Sequence, residues 1–375
     1  MIRKFLKKLF RLISHNIFFK IYGKIEKSIN FNEDSRINVK IINIEKNLSY
    51  NVYNITNGRL YTDRIQDTAI LLENKIIEEA SFQLRNAYDN KIYNSKIVDN
   101  IVFTKGTPRK LKNLNGSVLS LLTGGAGNNN YWHWLFDVLP RLALCEKNIN
   151  LNDVDYFLLP DHIKKFQIET LNSLDIPKTK RLSSEKYRHV KAKKLIVTDH
   201  PVMIGTDATK GIMNMPHWIS LWLKNNFIKD SAKNYNKNIK KIYIDRSDKT
   251  SNNLPLRLIS NEDEVKKHLI MNDFTSIKLH ETNFNEQVVL FNNAECIVGL
   301  HGGGFANLAF CKEGTRVIEL RSTNAGKPIE NLAKKNNLNY SSIIVEAKQI
   351  KNFNFPNQQG SIQVPINSLI ESLKK

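Results

Sequence analysis

A glycine-rich turn at residues 300–307 has the residue types of an anion-binding site. It reads Leu-His-Gly-Gly-Gly-Phe-Ala-Asn, follows a predicted strand and opens a predicted helix. Glycines let backbone N–H groups approach an anion, and a helix start adds free donors and a favourable dipole. The turn matches neither a Walker A loop nor the dinucleotide fingerprint. We therefore predict phosphate binding through His301, Gly302, Gly303 and Gly304. The alternative is a tight turn whose glycines only allow close packing.

Charged residues at the ends of neighbouring predicted strands would join this turn. Glu319 closes the next predicted strand, and parallel strands end at the same edge of a sheet, so a carboxylate there could bind ribose hydroxyls. Arg246 follows another predicted strand and could reach a phosphate. Arg257 precedes a predicted helix, and its alternative role is a surface ion pair with Glu262 or Asp263.

A second set of polar residues recurs every four positions on an apolar segment. His133, Asp137 and Arg141 share one face of a predicted helix over 131–147, which Asn130 can cap. Polar side chains on a buried helix need partners or a cleft. A carboxylate could orient the imidazole, or the histidine could steer a carboxylate base. A structural His–Asp–Arg network is the alternative.

The side chains that could bind a metal ion, two aspartates and three cysteines, do not predict a metal site. Asp153-Val-Asp155 has the form of an aspartate metal motif, but it precedes a predicted strand and is interpreted as a turn. Cys145, Cys296 and Cys311 lie in apolar segments without metal-ligand spacing. We interpret them as buried, reduced thiols in a reducing compartment.

The elements that must position these residues change along the chain. Residues 35–105 alternate short apolar strands with polar turns, including a hairpin that turns at Glu73 and Asn74. From residue 117 the pattern becomes strand, loop and helix, and a second such series follows a polar linker at 229–241. These units predict an α/β fold with two doubly wound domains and a ligand cleft between them.

Composition narrows the class of protein. The chain has 375 residues, 41% hydrophobic and 25% charged, which is typical of globular proteins. Its net charge is +20. The abundance of Lys, Asn and Ile fits AT-rich codon usage, and basic residues are not interleaved with stacking aromatics. We therefore expect no nucleic-acid partner.

The N-terminus predicts a basic amphipathic helix. Residues 1–27 contain eight basic residues and one acid, Glu26, while Ile2, Leu6, Leu9 and other apolar residues recur at helical spacing. Such a helix can lie in an anionic membrane surface. Charges interrupt every apolar run, so the segment is neither a signal peptide nor a spanning helix. The alternative is a terminal helix packed on its own domain.

Several segments together resemble glycosyltransferase family 61. The upstream match is Asn130-Tyr-Trp-His133-Trp-Leu-Phe-Asp137-Val-Leu-Pro-Arg141-Leu, and the downstream matches are Ile242-Tyr-Ile-Asp-Arg246, Arg257-Leu-Ile-Ser-Asn261-Glu262-Asp-Glu264-Val, Phe284-Asn-Glu-Gln287, the glycine turn and Val317-Ile-Glu319-Leu320. Their order and spacing agree with the family. Gly303 stands where many relatives carry alanine, the arginine cluster is thinner with Ser247 and Asp248 after Arg246, and residues 1–110 match poorly.

The resemblance implies a fold and an activity. It implies a GT-B-like architecture, in which two Rossmann-like domains face a cleft, and inverting transfer from a nucleotide sugar such as a UDP-sugar. A bound metal or cofactor is not expected. The donor would be bound by Arg246, Arg257, His301, Gly302, Gly303, Gly304 and Asn307, with Glu319 on the ribose. The acceptor side would have His133 and Asp137 at the hydroxyl, with Asn130, Trp132 and Arg141 beside them.

The resemblance also suggests an organisation and a biological setting. We predict an N-terminal helix at 1–30, an acceptor-side domain at 31–230, a nucleotide-sugar-binding domain at 231–350 and a tail with a helix at 351–375. The family includes bacterial capsular polysaccharide proteins, so we expect a lipid-linked glycan acceptor and a peripheral site on the cytoplasmic face of a bacterial membrane. The alternatives are a non-catalytic nucleotide- or glycan-binding module and a CDP-polyol phosphotransferase.

Overall fold

The computed structural model describes residues 2–64, 66–86, 91–104, 106–122, 130–203, 205–231, 238–246, 257–348 and 360–374. The chain is an α/β protein that divides into two compact units, Met1–Ile212 and Met213–Lys375. Two segments named in the sequence analysis, 247–248 and residues 232–237 of the 229–241 linker, lie outside the described residues. Among the helices described, none combines the length and the apolar character needed to span a bilayer.

The first unit is built on a mixed sheet. Its strands are β1 (Lys27–Ile29), β2 (Ile37–Glu45), β3 (Leu48–Thr56), β4 (Arg59–Arg64), β5 (Asp67–Leu72), β6 (Lys75–Ile77), β7 (Phe82–Asn86), β8 (Ile92–Asn94), β9 (Lys112–Ser120), β10 (Tyr156–Leu159), β11 (Arg181–Ser183) and β12 (His189–Thr198). The main path through the sheet is β1-β6-β5-β4-β12-β9-β10-β11, with β3 and β2 joined to β12, and β7 and β8 joined to β5.

Parallel pairing in this unit is concentrated at one end of the sheet. Strands β12, β9, β10 and β11 run parallel to one another, as the sequence predicts for alternating strand and helix units. The lead-in strands pair antiparallel, apart from β1 beside β6. Short turns such as that between β5 and β6, where Glu73 has a φ of 55°, can join only antiparallel strands. Parallel pairing therefore occurs where the sequence predicts strand-loop-helix units, and antiparallel pairing predominates in the predicted β-rich lead-in.

The helices of the first unit include an unexpected irregularity. They are α1 (Ile2–Tyr22), α2 (Ile101–Thr104), α3 (Tyr131–His133), α4 (Pro140–Glu146), α5 (Lys165–Ser173) and α6 (Ala208–Met213). The predicted helix over 131–147 is divided by a π-helix at Trp134–Val138, in which the Leu139 N–H donates to the Trp134 carbonyl at 3.1 Å. Pro140 causes this change, because its ring lacks an N–H and would clash with the carbonyl four residues earlier in a regular α-helix.

The second unit contains a parallel sheet. Its strands are β13 (Lys241–Ile244), β14 (Arg257–Ile259), β15 (Thr275–Ile277), β16 (Cys296–Leu300), β17 (Arg316–Ser322), β18 (Asn339–Val345) and β19 (Gly360–Ile362). Its helices are α7 (His217–Ser231), α8 (Glu262–Ile270), α9 (Phe284–Asn293), α10 (Pro328–Lys335) and α11 (Ile366–Lys374), with a 3-10 helix at Gly303–Phe310. The sheet order is β15-β13-β16-β17-β18, with β14 and β19 paired separately. The parallel sheet predicted for this part of the chain is confirmed.

Two segments join the second unit that the sequence analysis had assigned elsewhere. Helix α7 packs through Phe227 on Phe284 and Phe310, with ring centroids 4.8 and 6.3 Å apart, so the division lies before it and not at residue 230. At the other end, β19 pairs with β14 and Leu369 of α11 is fully buried. The described part of the predicted tail therefore contributes to the core of this unit.

Candidate active site

The glycine turn lies at the carboxyl edge of the parallel sheet. Strands β16 and β17 pair so that Gly299 lies beside Glu319, and the His301 N–H donates to the Leu320 carbonyl at 2.9 Å. All five residues of β16 are buried, which fixes where the chain leaves the sheet. The predicted helix after the turn is a 3-10 helix that starts at Gly303.

Two arginines converge on this turn. Nη1 of Arg246 and Nη1 of Arg257 donate to the His301 carbonyl at 3.0 and 3.2 Å. Gly302 is extended, with a φ of 165°, so its backbone does not require glycine. A Cβ at this position would instead lie 2.5 Å from Arg246 Nη1 and 3.7 Å from Arg257 Nη1. Glycine is needed at position 302 because the guanidinium groups occupy that space.

The two guanidinium groups of Arg246 and Arg257 bring positive charge together at the His301 carbonyl. Burial, and then the charge of Arg246, lower the pKa of Arg257 to about 10, while Glu319 opposes this shift. The alternative of a surface ion pair for Arg257 receives no support from Glu262, which instead accepts from the Tyr243 hydroxyl at 3.0 Å. Two guanidinium groups on one carbonyl place two positive charges close together, and planar guanidinium groups are suited to bind an anion.

Glu319 lies in the interior behind the turn. It is fully buried, and its two carboxylate oxygens accept from His301 Nδ1 and from the Tyr340 hydroxyl, the latter at 2.5 Å. Burial, and then the charge of Glu319, raise the pKa of Tyr340. Because the carboxylate is fully buried, a ribose hydroxyl could reach it only if one of these two side chains moved aside. The contact with Glu319 instead fixes the orientation of the His301 ring. Tyr340, which holds Glu319, is a site residue that the sequence analysis missed.

Asn307 lies beneath the turn and not on its surface. Its fully buried Nδ2 donates to Gln287 Oε1 at 3.0 Å and to the Gly304 carbonyl at 3.2 Å. Gln287 in turn donates to the Leu279 carbonyl at 2.7 Å. These bonds tie the 3-10 helix to α9, so Asn307 shapes the turn from within.

The first unit places His133 and Asp137 in direct contact. Asn130 caps α3 as predicted, accepting from the Trp132 N–H at 2.9 Å, and the Trp132 ring packs on Phe136. The π-helix keeps residues 133 and 137 on one side, and His133 Nδ1 lies 2.5 Å from Asp137 Oδ2. The side chain of Asp137 is 3% exposed and that of His133 is 17% exposed. The imidazole is therefore the more accessible member of the pair.

Each member of this pair shifts the pKa of the other. Burial lowers the pKa of His133, but the charge and the hydrogen bond of Asp137 outweigh it, so the pKa is raised. Burial raises the pKa of Asp137, but His133, with smaller contributions from His200 and Arg141, outweighs it, so the pKa is lowered. The Nε2 atom of His133 has no hydrogen-bond partner among the described residues. A carboxylate-oriented imidazole with a free nitrogen can accept a proton.

Arg141 and Asp199 extend the polar cluster into the core. Arg141 donates to the Asp137 carbonyl and the Thr198 carbonyl, each at 3.2 Å, and burial lowers its pKa to about 10. Asp199 accepts from the Tyr53 hydroxyl at 3.0 Å, and burial raises its pKa. Arg141 thus joins the carboxyl end of β12 to the π-helix. For Arg141 the contacts agree with the alternative of a structural polar network.

His200 is a further member of the cluster that the sequence analysis passed over. Its Nδ1 accepts from the backbone N–H groups of Val202 and Met203 at 3.3 and 3.2 Å. Burial lowers its pKa to about 3. Because Nδ1 accepts both bonds, the ring proton is on Nε2. Only its position after β12, the strand beside β9, could have drawn attention to it in the sequence.

The described residues contain no group of three His, Cys, Asp or Glu side chains arranged to hold a metal ion. The Asp153–Asp155 segment is a turn, as predicted, and Asp155 accepts from the Ser117 hydroxyl at 2.9 Å. The three cysteines are free and buried. Burial raises the pKa of Cys145 to about 12, which makes this thiol unreactive.

A comparison with known protein families assigns the chain to one of them. A family model described as Glycosyltransferase 61 matches residues 131–318, half of the chain. The chain belongs to the glycosyltransferase 61 family. No curated protein matches it. As a member of this family it is a glycosyltransferase, and the matched span contains both the His133–Asp137 pair and the glycine turn. Glu319 and Tyr340 follow the matched span. Glu319 contacts His301 and Tyr340 contacts Glu319, so the candidate site extends beyond the span.

Proposed function

We propose that this glycosyltransferase inverts the sugar it transfers, moving it from a UDP-sugar to a hydroxyl of a lipid-linked or growing surface polysaccharide. The proposal includes a GT-B type of organisation, in which the second unit binds the donor and the first supplies the acceptor side. The observation that carries it is the convergence of Arg246 and Arg257 on the His301 carbonyl.

The donor diphosphate would bind at this convergence. Planar guanidinium groups bind phosphate oxygens through paired, charge-assisted hydrogen bonds. Gly303 and Gly304 begin the 3-10 helix, and their backbone N–H groups would add donors. Negative charge grows on the diphosphate as its bond to the sugar breaks, and fixed cations stabilise that charge. In this proposal the arginines supply the charge, and a bound metal is not required.

His301 would contact the donor through its Nε2 atom. Its Nδ1 is engaged by Glu319, and Tyr340 holds Glu319 in turn. We assign Glu319 and Tyr340 as positioning residues for this ring, which replaces the ribose contact expected for Glu319 from the resemblance. Asn307 has a comparable positioning role, since it holds the turn through Gln287.

His133 would be the general base. The acceptor oxygen forms a bond to the anomeric carbon, while the bond from that carbon to the diphosphate oxygen breaks. The acceptor proton passes to His133 Nε2, and Asp137 stabilises the imidazolium that results. A single displacement of this kind inverts the anomeric configuration. The greater burial of Asp137 supports His133 as the base and Asp137 as its partner, and not the reverse assignment.

The biological setting is also part of the proposal. The acceptor would be a lipid-linked glycan of bacterial capsule or lipopolysaccharide assembly, and the enzyme would act at the cytoplasmic face of the membrane. Three free, buried thiols are consistent with a reducing compartment.

The test is a transfer assay with a panel of UDP-, GDP- and CDP-sugars and lipid-linked acceptors, in EDTA. We expect nucleotide release with a UDP-sugar and a product of inverted anomeric configuration by NMR. His301→Ala should weaken nucleotide binding, whereas His133→Ala should spare binding and abolish transfer. UDP binding without turnover would indicate a binding module, preference for CDP would indicate polyol phosphate transfer, and a retained anomeric configuration would contradict direct displacement.

A further inference from the structure

The first half of α1 extends away from the packed part of its unit. Every residue from Phe5 to Ile13 is exposed, whereas Ser14 and Phe18 are buried. Phe18 packs on Tyr61, with ring centroids 5.3 Å apart. Burial thus begins only in the second half of this 21-residue helix.

The second half of α1 is part of the core. Phe18 is fully buried, and a Cβ on Gly106 would lie 2.8 Å from its ring. The Tyr22 hydroxyl donates to the Arg109 carbonyl at 2.5 Å. Ile25, just after the helix, is also buried in this cluster. The alternative of a terminal helix packed on its own domain is therefore correct for residues 14–25.

The exposed side of α1 carries an apolar stripe, which we define as Leu6, Leu9, Phe10, Ile13, Ile17 and Ile21. These residues repeat at helical spacing, and each is between 41% and 65% exposed. An isolated helical segment of this length is marginally stable in water. Large apolar side chains grouped on an unpacked helix mark a surface that another apolar phase covers.

The charges on α1 indicate what covers the apolar stripe. Residues 2–22 contain six basic residues and no acid. Lys7 and Arg11 continue the row of Ser14 and Phe18 towards the N-terminus, off the apolar stripe, and both are exposed. Two copies of α1 placed stripe to stripe would bring like charges together. An acidic lipid surface would instead attract the basic residues while its acyl region covers the stripe.

We propose that α1 is an in-plane membrane anchor built into the fold, whose apolar stripe enters an anionic lipid surface while Phe18 fixes the helix to the first unit. The first unit is thereby held at a set position on the membrane and not on a flexible tether. This inference deepens the membrane setting of the proposed function. The vesicle test measures no transfer, so its failure would leave the proposed reaction unaffected.

The test is sedimentation of the full chain with vesicles of phosphatidylglycerol and phosphatidylcholine, compared with phosphatidylcholine alone. The stripe variant is Leu9→Ser with Ile13→Ser. Its matched control is Ile41→Ser with Ile163→Ser, which changes two still more exposed isoleucines elsewhere in the same unit. We expect the stripe variant to bind acidic vesicles roughly a hundredfold more weakly. The control should bind as the unchanged chain does.

A charge variant tests the lipid class. Lys7→Gln with Lys8→Gln and Arg11→Gln should weaken binding to acidic vesicles by about a hundredfold and remove most of its salt dependence. Equal binding by the stripe variant and the control would overturn the inference, as would failure of the unchanged chain to bind acidic vesicles. A dimer in sedimentation velocity that the stripe variant dissociates would also overturn it, because a second copy would then cover the stripe.

Discussion

Replacing Gly302 by alanine should weaken nucleotide binding without unfolding the protein. Alanine tolerates the extended backbone at this position, so the change introduces no backbone strain. The new Cβ would lie 2.5 Å from Nη1 and 3.2 Å from Cζ of Arg246. Those atoms are the tip of a long, flexible side chain, so Arg246 must move away from the His301 carbonyl.

The size of the effect follows from the bond that is lost. A hydrogen bond between a guanidinium and a charged partner contributes about 1.5–3 kcal/mol. Displacing Arg246 from a bound diphosphate should therefore raise the Kd for UDP about 10- to 150-fold. The thermal unfolding temperature should change little, because the displaced group is not packed in the apolar core.

Calorimetric titration with UDP provides the assay, and Gly326→Ala provides a matched control. A Cβ on Gly326 would also meet the tip of a flexible side chain, Met213, at 2.4 Å, but no arginine. We expect the control to bind UDP with unchanged affinity. If Gly302→Ala binds UDP as tightly as the unchanged protein, Arg246 does not hold the diphosphate and the reasoning fails.

Further outcomes test the remaining contacts. Asp137→Asn removes the charge that raises the pKa of His133 and leaves the burial that lowers it. The pKa of His133, measured by NMR, should therefore fall from above its ordinary value to below it, and an unchanged pKa would refute the pairing. In the unchanged protein, stability from this pair should be lost as pH rises through the raised pKa of His133, and as pH falls through the lowered pKa of Asp137. Tyr340→Phe should destabilise the protein by about 1.5–3 kcal/mol in urea, since a buried carboxylate loses a donor. Phe18→Ala should cost about 3–5 kcal/mol, and a smaller loss would show that α1 is not fixed to the core.

Local features of the fold were predictable from the sequence because they depend on neighbouring residues. The cap at Asn130 and the hairpin at Glu73 rest on contacts within a few positions of the chain. The parallel sheet of the second unit was also predictable, since strands and helices alternate regularly there. The π-helix was missed, although Pro140 in an apolar helical segment was its signal.

Contacts between distant segments were not predictable in the same way. Strand β12 pairs with β9 on one side and with β3 and β4 on the other. Such pairing depends on the whole sheet, so the sequence did not predict that β3 and β4 belong to the same sheet as β9. Tyr340 reaches Glu319 from a neighbouring strand, and nothing near either residue in the sequence indicates the bond. The glycine turn was recognisable from its composition, but the guanidinium beside Gly302 required the structure.

The most direct test of the central claim is calorimetric titration of the purified chain with UDP, GDP, CDP and CMP in EDTA. We predict selective binding of UDP, with an affinity that falls at least about tenfold in Arg246→Ala and in Arg257→Ala. Absence of binding to every nucleotide, or UDP binding that both substitutions leave unchanged, would contradict a metal-free donor site at the glycine turn.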